Sequence, residues 1–102
     1  MSAYMVLQIE WTNKEAREAY VQDLSGMVER RGGRFLVASS ESKVVEGQGK
    51  PRRWVLIEFP TMKALTDWYE SEEYRPLLEL RLKSSHSDAV MIEGVPAGPP
   101  SA

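Results

Sequence analysis

The chain has 102 residues, of which 42% are hydrophobic and 27% charged, and its formal net charge at pH 7 is −2. This size and composition predict a single globular domain with one core. A slightly acidic chain offers no basic surface for nucleic acid, and no apolar run approaches the roughly 18 residues that cross a bilayer. We therefore expect neither a nucleic-acid partner nor a membrane partner.

The sequence also contains no cysteine, which excludes disulfides, thiolate catalysis and cysteine-ligated metals. Its single histidine, His86, argues against a structural zinc site, because such sites need several His or Cys ligands. The first residues, MSAYMVLQIEW, lack the basic region and the cleavage pattern of a signal peptide. We expect a cytoplasmic protein without a metal or a cofactor.

The first half of the chain predicts two strands around a long helix. Apolar and polar residues alternate at the start, which is the period of a half-buried strand. Thr12 and Glu15 have the spacing of a capping box, and Gly32 suits a helix end. The predicted elements are a strand over residues 4–11, a helix over 13–31, a strand over 34–39 and a short strand segment over 43–46.

The second half predicts two helices between two strands. The apolar run Val55-Leu56-Ile57 is typical of a central strand, and Pro60 ends it because proline has no ladder donor. The predicted elements are a strand over residues 52–59, a helix capped by Thr61, a second helix with Pro76 in its first turn, a loop over 84–87 and a strand over 88–95.

This order is the ferredoxin-like βαββαβ pattern of an α+β domain. It predicts a four-stranded antiparallel sheet over residues 1–95, with the helices on one face. The other face needs a cover, and a second copy of the same sheet is the simplest one. The tail PAGPPSA, residues 96–102, cannot bury a core and is predicted to be disordered.

Several blocks of the sequence resemble one family of small bacterial proteins. The blocks are GGRFLV at 32–37, VVEG at 44–47, IEFPT at 57–61, DWYESEEY at 67–74, LELR at 78–81 and MIEGV at 91–95. In order and spacing they are similar to domain of unknown function family 1330, over about residues 3–95. The resemblance implies the dimeric α/β-barrel superfamily, and hence a homodimer whose two sheets pack into a barrel. Its relatives include cofactor-independent monooxygenases and polyketide cyclases, so the resemblance implies no single reaction.

Two residues are candidates for catalysis by acid–base chemistry. Glu58 lies within the apolar third strand, where partial desolvation would raise its pKa and suit it to act as a general base. The alternative is that Glu58 forms an ion pair with a basic residue such as Arg81. His86 is the second candidate, since histidine is the commonest general base, although a lone loop histidine usually does not act as one.

Four residues are candidates for substrate binding in a cleft between the sheet and the helices. Trp54, Trp68 and Tyr69 would form an aromatic wall against a planar ligand. Arg81 would hold a carboxylate through its guanidinium. The alternative is that Trp68 and Tyr69, at helical spacing, belong to the core, which is the more typical place for such residues.

Two functions from different classes stay open at this point. The first is a small dimeric α/β-barrel protein that binds a small aromatic or carboxylate metabolite. The second is a cofactor-independent enzyme, with monooxygenase-like or cyclase-like acid–base chemistry on a small aromatic or polyketide-like substrate. The sequence shows no phosphate-binding loop, nucleophile elbow or dinucleotide fingerprint. A cavity that brings several candidate groups together would favour the enzyme.

Overall fold

The computed structural model describes residues 1–50 and 52–95, which form one sheet of four strands and three helices. In chain order the elements are β1 (Ala3–Trp11), α1 (Lys14–Arg30), β2 (Arg34–Ser39), β3 (Arg53–Phe59), α2 (Met62–Tyr69), α3 (Arg75–Ser84) and β4 (Ser85–Glu93). The tail predicted to be disordered, residues 96–102, lies outside the described residues.

The strand order across the sheet is β2-β3-β1-β4, and all neighbouring strands are antiparallel. Met5 at the centre of β1 faces Ile57 of β3 on one side and Met91 of β4 on the other. The predicted ferredoxin-like α+β fold is thus confirmed, with the second helical segment divided into α2 and α3.

Local signals explain where most helices begin and end. The Thr61 hydroxyl accepts a hydrogen bond from the Ala64 N–H at 3.0 Å and caps α2, and Pro76 lies in the first turn of α3, both as predicted. Beyond the end of α1, Gly32 has a φ of +85°, a left-handed conformation that favours glycine.

The predicted capping box at Thr12 is wrong. The N-cap of α1 is Asn13, whose side-chain oxygen accepts a hydrogen bond from the Ala16 N–H at 2.9 Å. The Thr12 backbone N–H, which Glu15 would bind in a capping box, donates instead to the Ser84 carbonyl at 2.9 Å. This bond joins the end of β1 to the end of α3.

Two further boundary predictions are wrong for reasons of strand pairing. Residues 43–46 are not a strand, because the β2–β3 ladder already ends where Ser39 faces Trp54. The predicted loop at 84–87 does not exist, since β4 begins at Ser85, directly after α3, and pairs there with the end of β1. His86 therefore lies on a strand.

The helices cover one side of the sheet, which we call the covered face; the other side is the open face. Residues buried between helices and sheet include Met5, Leu7, Ile57 and Phe59 from the strands and Tyr20, Leu24, Val28, Leu65, Trp68 and Leu77 from the helices. By strand alternation and register, the open face carries Tyr4, Val6, Val37, Trp54, Leu56, Glu58, His86, Val90 and Ile92.

No helix in the described part of the chain combines the length and the apolar character that spanning a membrane requires. The cytoplasmic location and the lack of a nucleic-acid partner stay predictions.

Candidate functional site

A cleft of about 180 Å³ lies between α1 and the covered face of the sheet, and we call it the α1 cleft. Its walls include Ile9, Trp11, Tyr20, Phe35, Arg53 and Val55. At its rim is Val21, which is exposed on the outer part of α1. The cleft thus reaches the surface on one side and the hydrophobic core on the other.

Three elements each supply one aromatic ring to the cleft. Trp11 is the last residue of β1, and Tyr20 lies in the second turn of α1, with their ring centroids 5.3 Å apart at an angle of 58°. Phe35 of β2 faces Ile57 across the ladder, which directs its side chain to the covered face. These rings form apolar walls of the kind that hold planar ligands.

Arg53 is the one charged residue among those that line the α1 cleft. As the first residue of β3 it faces Ile9 in the register, and its side chain shares the covered face with Val55. Burial lowers the pKa of Arg53, and the nearby charge of Arg17 lowers it further. Its Nη1 donates a long hydrogen bond, 3.4 Å, to the Ser40 hydroxyl.

The sequence reasoning missed Arg53, because Arg52-Arg53 resembles a solvated pair of charges. One signal could have found it. Along β3, Arg53 has the same parity as the buried Val55, Ile57 and Phe59, so strand alternation places it on the covered face.

A buried polar cluster lies behind the Tyr20 wall of the cleft. The hydroxyls of Tyr20 and Tyr74 are 2.7 Å apart and share a hydrogen bond within the core. Burial raises the pKa of Tyr20 well above its usual value, and Tyr74 adds to the effect. The phenol of Tyr20 therefore stays protonated at neutral pH and serves as a donor rather than as a base.

Arg81 of α3 belongs to the same cluster and is only 1% exposed. Its Nη1 donates to the Ser87 hydroxyl at 2.6 Å, whereas its Nε and its other Nη have no partner among the described residues. Burial alone would lower the pKa of Arg81, but the oxygens of Tyr74 and Tyr20 outweigh that effect and raise it. Arg81 is thus a buried cation without a carboxylate partner in the described chain.

Glu58 does form an ion pair, but with Arg34 rather than Arg81. The Arg34 Nε lies 2.6 Å from one carboxylate oxygen, and the Tyr4 hydroxyl donates to the other oxygen at 3.0 Å. Arg34, followed by Tyr4, lowers the pKa of Glu58, so the expected rise is wrong. The reason is pairing: the hydrogen bonds from Arg34 and Tyr4 to the carboxylate outweigh the effect of burial, which still acts to raise its pKa. Its catalytic role stays a prediction.

His86 is exposed on the open face of β4 and faces Glu10 of β1, whereas Glu58 faces Tyr4. Tyr4 and Glu10 are six residues apart on one strand, which is roughly 20 Å at about 3.3 Å per residue. The two predicted catalytic residues therefore cannot act on one atom within a single subunit. Among residues 1–50 and 52–95, no three His, Asp or Glu side chains cluster closely enough to hold a metal ion.

The predicted aromatic wall is not assembled. Trp54 faces Gln8 on the open face, while Trp68 and Tyr69 belong to α2 on the covered side. Trp68 is fully buried and stacks on Phe59 with ring centroids 5.5 Å apart, which is the core role given as the alternative. A strand residue and helix residues that lie on opposite sides of a sheet cannot bind one ligand within a subunit.

The fold and the α1 cleft define a ferredoxin-like α+β protein with an apolar site beneath its long helix. The chain belongs to the family described as Domain of unknown function (DUF1330), which matches residues 2–95. Among curated proteins, none matches this chain significantly.

Solved structures with the same fold include RPA0582, a protein of unknown function from Rhodopseudomonas palustris, with a TM-score of 0.72 and 19% identity over 96% of this chain and 84% of that one. A dimeric ferredoxin-like protein of unknown function from Jannaschia sp. CCS1 has a TM-score of 0.67 and 13% identity over 92% of this chain and 100% of that one. SnoaB, a cofactor-independent oxygenase from Streptomyces nogalater, has a TM-score of 0.64 and 13% identity over 97% of this chain and 98% of that one. At such identities the likeness shows the fold alone.

Proposed function

We propose that the protein binds a small molecule with an aromatic ring in the α1 cleft. The observation that carries this proposal is the cleft itself, about 180 Å³ in volume and walled by Trp11, Tyr20 and Phe35. An apolar cavity of about 150 Å³ is known to hold one benzene molecule. The α1 cleft therefore has room for a single ring, and it is smaller than the roughly 300–1,000 Å³ typical of drug-sized ligands.

Replacing each of two alanines by leucine, one inside the cleft and one outside it, tests the proposal. Ala38 lines the cleft and Ala89 does not, although both are exposed strand residues on the covered face. Titration with benzamide and with benzoate, followed by NMR, is expected to shift the Trp11 indole and Phe35 resonances. Ala38→Leu fills the cleft and should abolish these shifts, whereas Ala89→Leu should preserve them. Failure of both compounds to shift these resonances would contradict the proposal.

We further propose that the protein is a homodimer that pairs through the open face. Three apolar side chains there, Val37, Val90 and Ile92, are 39%, 54% and 48% exposed, and they lie beside Val6 and Leu56. Two sheets that pack face to face bury such residues. The similar structure from Jannaschia sp. CCS1 is described as dimeric, which supports the proposal.

The dimer is tested by sedimentation velocity on two lysine variants. Val90→Lys puts a charge on the open face and should shift the protein to monomer, because an unpaired charge in an apolar interface is costly. Leu82→Lys is the control, since Leu82 is similarly exposed, at 60%, but lies on α3. A monomeric wild type, or a Val90→Lys variant that stays dimeric, would contradict pairing through this face.

A cofactor-independent enzyme is the second candidate, and the Tyr20 cluster favours it. The Tyr20 ring lines the cleft, while its hydroxyl contacts Tyr74 in a cluster that contains the cation of Arg81. Such a cluster places a hydrogen-bond donor and a positive charge behind the cleft wall, where they would stabilise an anion formed on a bound substrate. SnoaB, which shares the fold, is a cofactor-independent oxygenase.

Oxygen uptake with hydroquinone, a single-ring substrate, tests the enzymatic proposal. Uptake should be lost in Tyr20→Phe and retained in Tyr4→Phe, because Tyr4 lies on the open face. Glu58→Gln and His86→Gln should also retain it if the α1 cleft is the site. Loss of uptake in these two variants instead would support the acid–base roles predicted from the sequence.

A further inference from the structure

A second concavity, rich in arginine, borders the α1 cleft. This recess, about 300 Å³ in volume, shares Ile9, Trp11 and Arg53 with the cleft and adds Arg17 of α1 and Arg52. Arg53 thus lines both the aromatic cleft and the arginine-rich recess. A ligand ring against Trp11 would lie in a cleft that Arg53 also lines.

The charges around this recess are not balanced within the described chain. Arg30, Arg31, Arg34 and Arg52 each form an ion pair with a carboxylate. Arg17 and Arg53 form none among the described residues, although they lie close enough for the charge of one to lower the pKa of the other. Glu10 also borders the recess and pairs with neither of them. Two unneutralised cations side by side repel each other, and a bound anion would relieve that repulsion.

We propose that the ligand of the α1 cleft is an aromatic carboxylate whose anionic group is bound by Arg53, with Arg17 as a second cation at the mouth. The proposal rests on the proposed binding function, because it names the ligand class of the same cleft. A guanidinium presents two parallel N–H donors that match the two oxygens of a carboxylate. Arg53 then determines specificity, and the aromatic rings provide most of the apolar contact.

Benzoate and benzamide are the matched probes, since they have the same shape and differ in charge. Wild type should bind benzoate at least about tenfold more tightly than benzamide, the factor expected for a charge-assisted hydrogen bond. Arg53→Gln should remove most of this preference while changing the affinity for benzamide little. Arg53→Lys, which keeps the charge but lacks the two parallel N–H donors, should retain part of the preference for benzoate.

Arg30→Gln is the control for a general change in charge. It removes the same charge from the last turn of α1, where Glu73 pairs with Arg30 at 2.9 Å, and Arg30 lines neither the cleft nor the recess. This variant should keep the preference for benzoate. If Arg30→Gln and Arg53→Gln reduce the preference equally, the effect comes from net charge and the assignment to Arg53 is overturned.

The outcomes separate this inference from the function on which it rests. Equal binding of both probes at Trp11 and Phe35 would overturn the carboxylate inference and leave aromatic binding in place. Benzoate that shifts only residues outside the cleft would also overturn it. If neither probe binds, both proposals fail together. If Arg53→Gln unfolds at the same midpoint temperature as the wild type, a lost preference for benzoate does not reflect a lost fold.

Discussion

The two faces of the sheet are built from the same four strands, yet they differ in whether their charged side chains have partners within the subunit. On the open face, Glu58 is matched by Arg34 and Tyr4, so its presence there is explained within the subunit. On the covered side, Arg53 and Arg81 are cations without a carboxylate partner among the described residues. Polar groups that a fold leaves unmatched in its interior are costly, and they are therefore the better indicators of a ligand site.

The largest expected difference between the faces concerns their tryptophans. Trp68→Ala should lower the free energy of unfolding by about 3–5 kcal/mol, because it leaves a cavity in the core. Trp54→Ala on the open face should cost less than half as much at equal protein concentration. Urea unfolding of both variants measures the difference. Equal losses would mean that the open face is packed as tightly as the core.

The next effect concerns the buried cation of the covered side. Arg81→Ala should lower the free energy of unfolding by about 2–5 kcal/mol, because it leaves a cavity. Arg81→Met fills the space without a charge and should leave stability unchanged or raise it, as apolar replacements of buried charges often do. Urea unfolding distinguishes the two variants. A large loss in Arg81→Met would show that the guanidinium stabilises the fold itself.

A smaller effect is expected from the tyrosine pair. Tyr74→Phe removes the 2.7 Å hydrogen bond to Tyr20 and should cost about 1 kcal/mol, the usual net contribution of one buried hydrogen bond. Tyr69→Phe is the control, because the Tyr69 hydroxyl has no hydrogen bond to another described residue. Thermal unfolding of both should show a loss for Tyr74→Phe alone. A matching loss in Tyr69→Phe would contradict the assignment of the effect to the Tyr20–Tyr74 bond.

The smallest effect belongs to Glu58 and depends on pH. The pKa of Glu58 is lowered in the folded protein from its usual value of 4.5, chiefly by Arg34. Its ionised form therefore stabilises the fold above about pH 4.5, and this contribution is lost as the pH falls through the lowered pKa. Urea unfolding of wild type and Glu58→Gln should thus differ at pH 7 and converge once the pH lies below the lowered pKa. A difference that grows on acidification would contradict the lowered pKa.

The element order was predictable because its signals are local. Alternation with period two marks the strands, and Thr61, Pro76 and Gly32 mark helix boundaries through backbone chemistry that needs no tertiary contact. The errors fall where pairing partners decide the outcome. Asn13 rather than Thr12 caps α1 while the Thr12 N–H bonds to Ser84, and Ser85 and His86 join a strand because the end of β1 lies beside them.

The candidate site was less predictable than the fold. Alternate residues of a strand lie on the same face of the sheet, and this alternation along β3 already groups Arg53 with Val55. Alternation does not show which face the helices cover. The sequence therefore predicts Trp54 and Trp68 in one wall, although they lie on opposite sides of the sheet. The period along one strand also does not reveal the partner of Glu58, which is Arg34, placed opposite it by the register of β2 and β3.

The amino-acid sequence by itself thus determined the strands, the helices and their order, since backbone propensities and hydrophobic period act over a few residues. Only the tertiary structure decided which charges are neutralised. Glu58 meets Arg34 across 24 positions of the chain, and Tyr20 meets Tyr74 across 54. Such contacts depend on strand register and helix packing, which bring distant residues together through the whole fold and place Arg53 in the wall of an aromatic cleft.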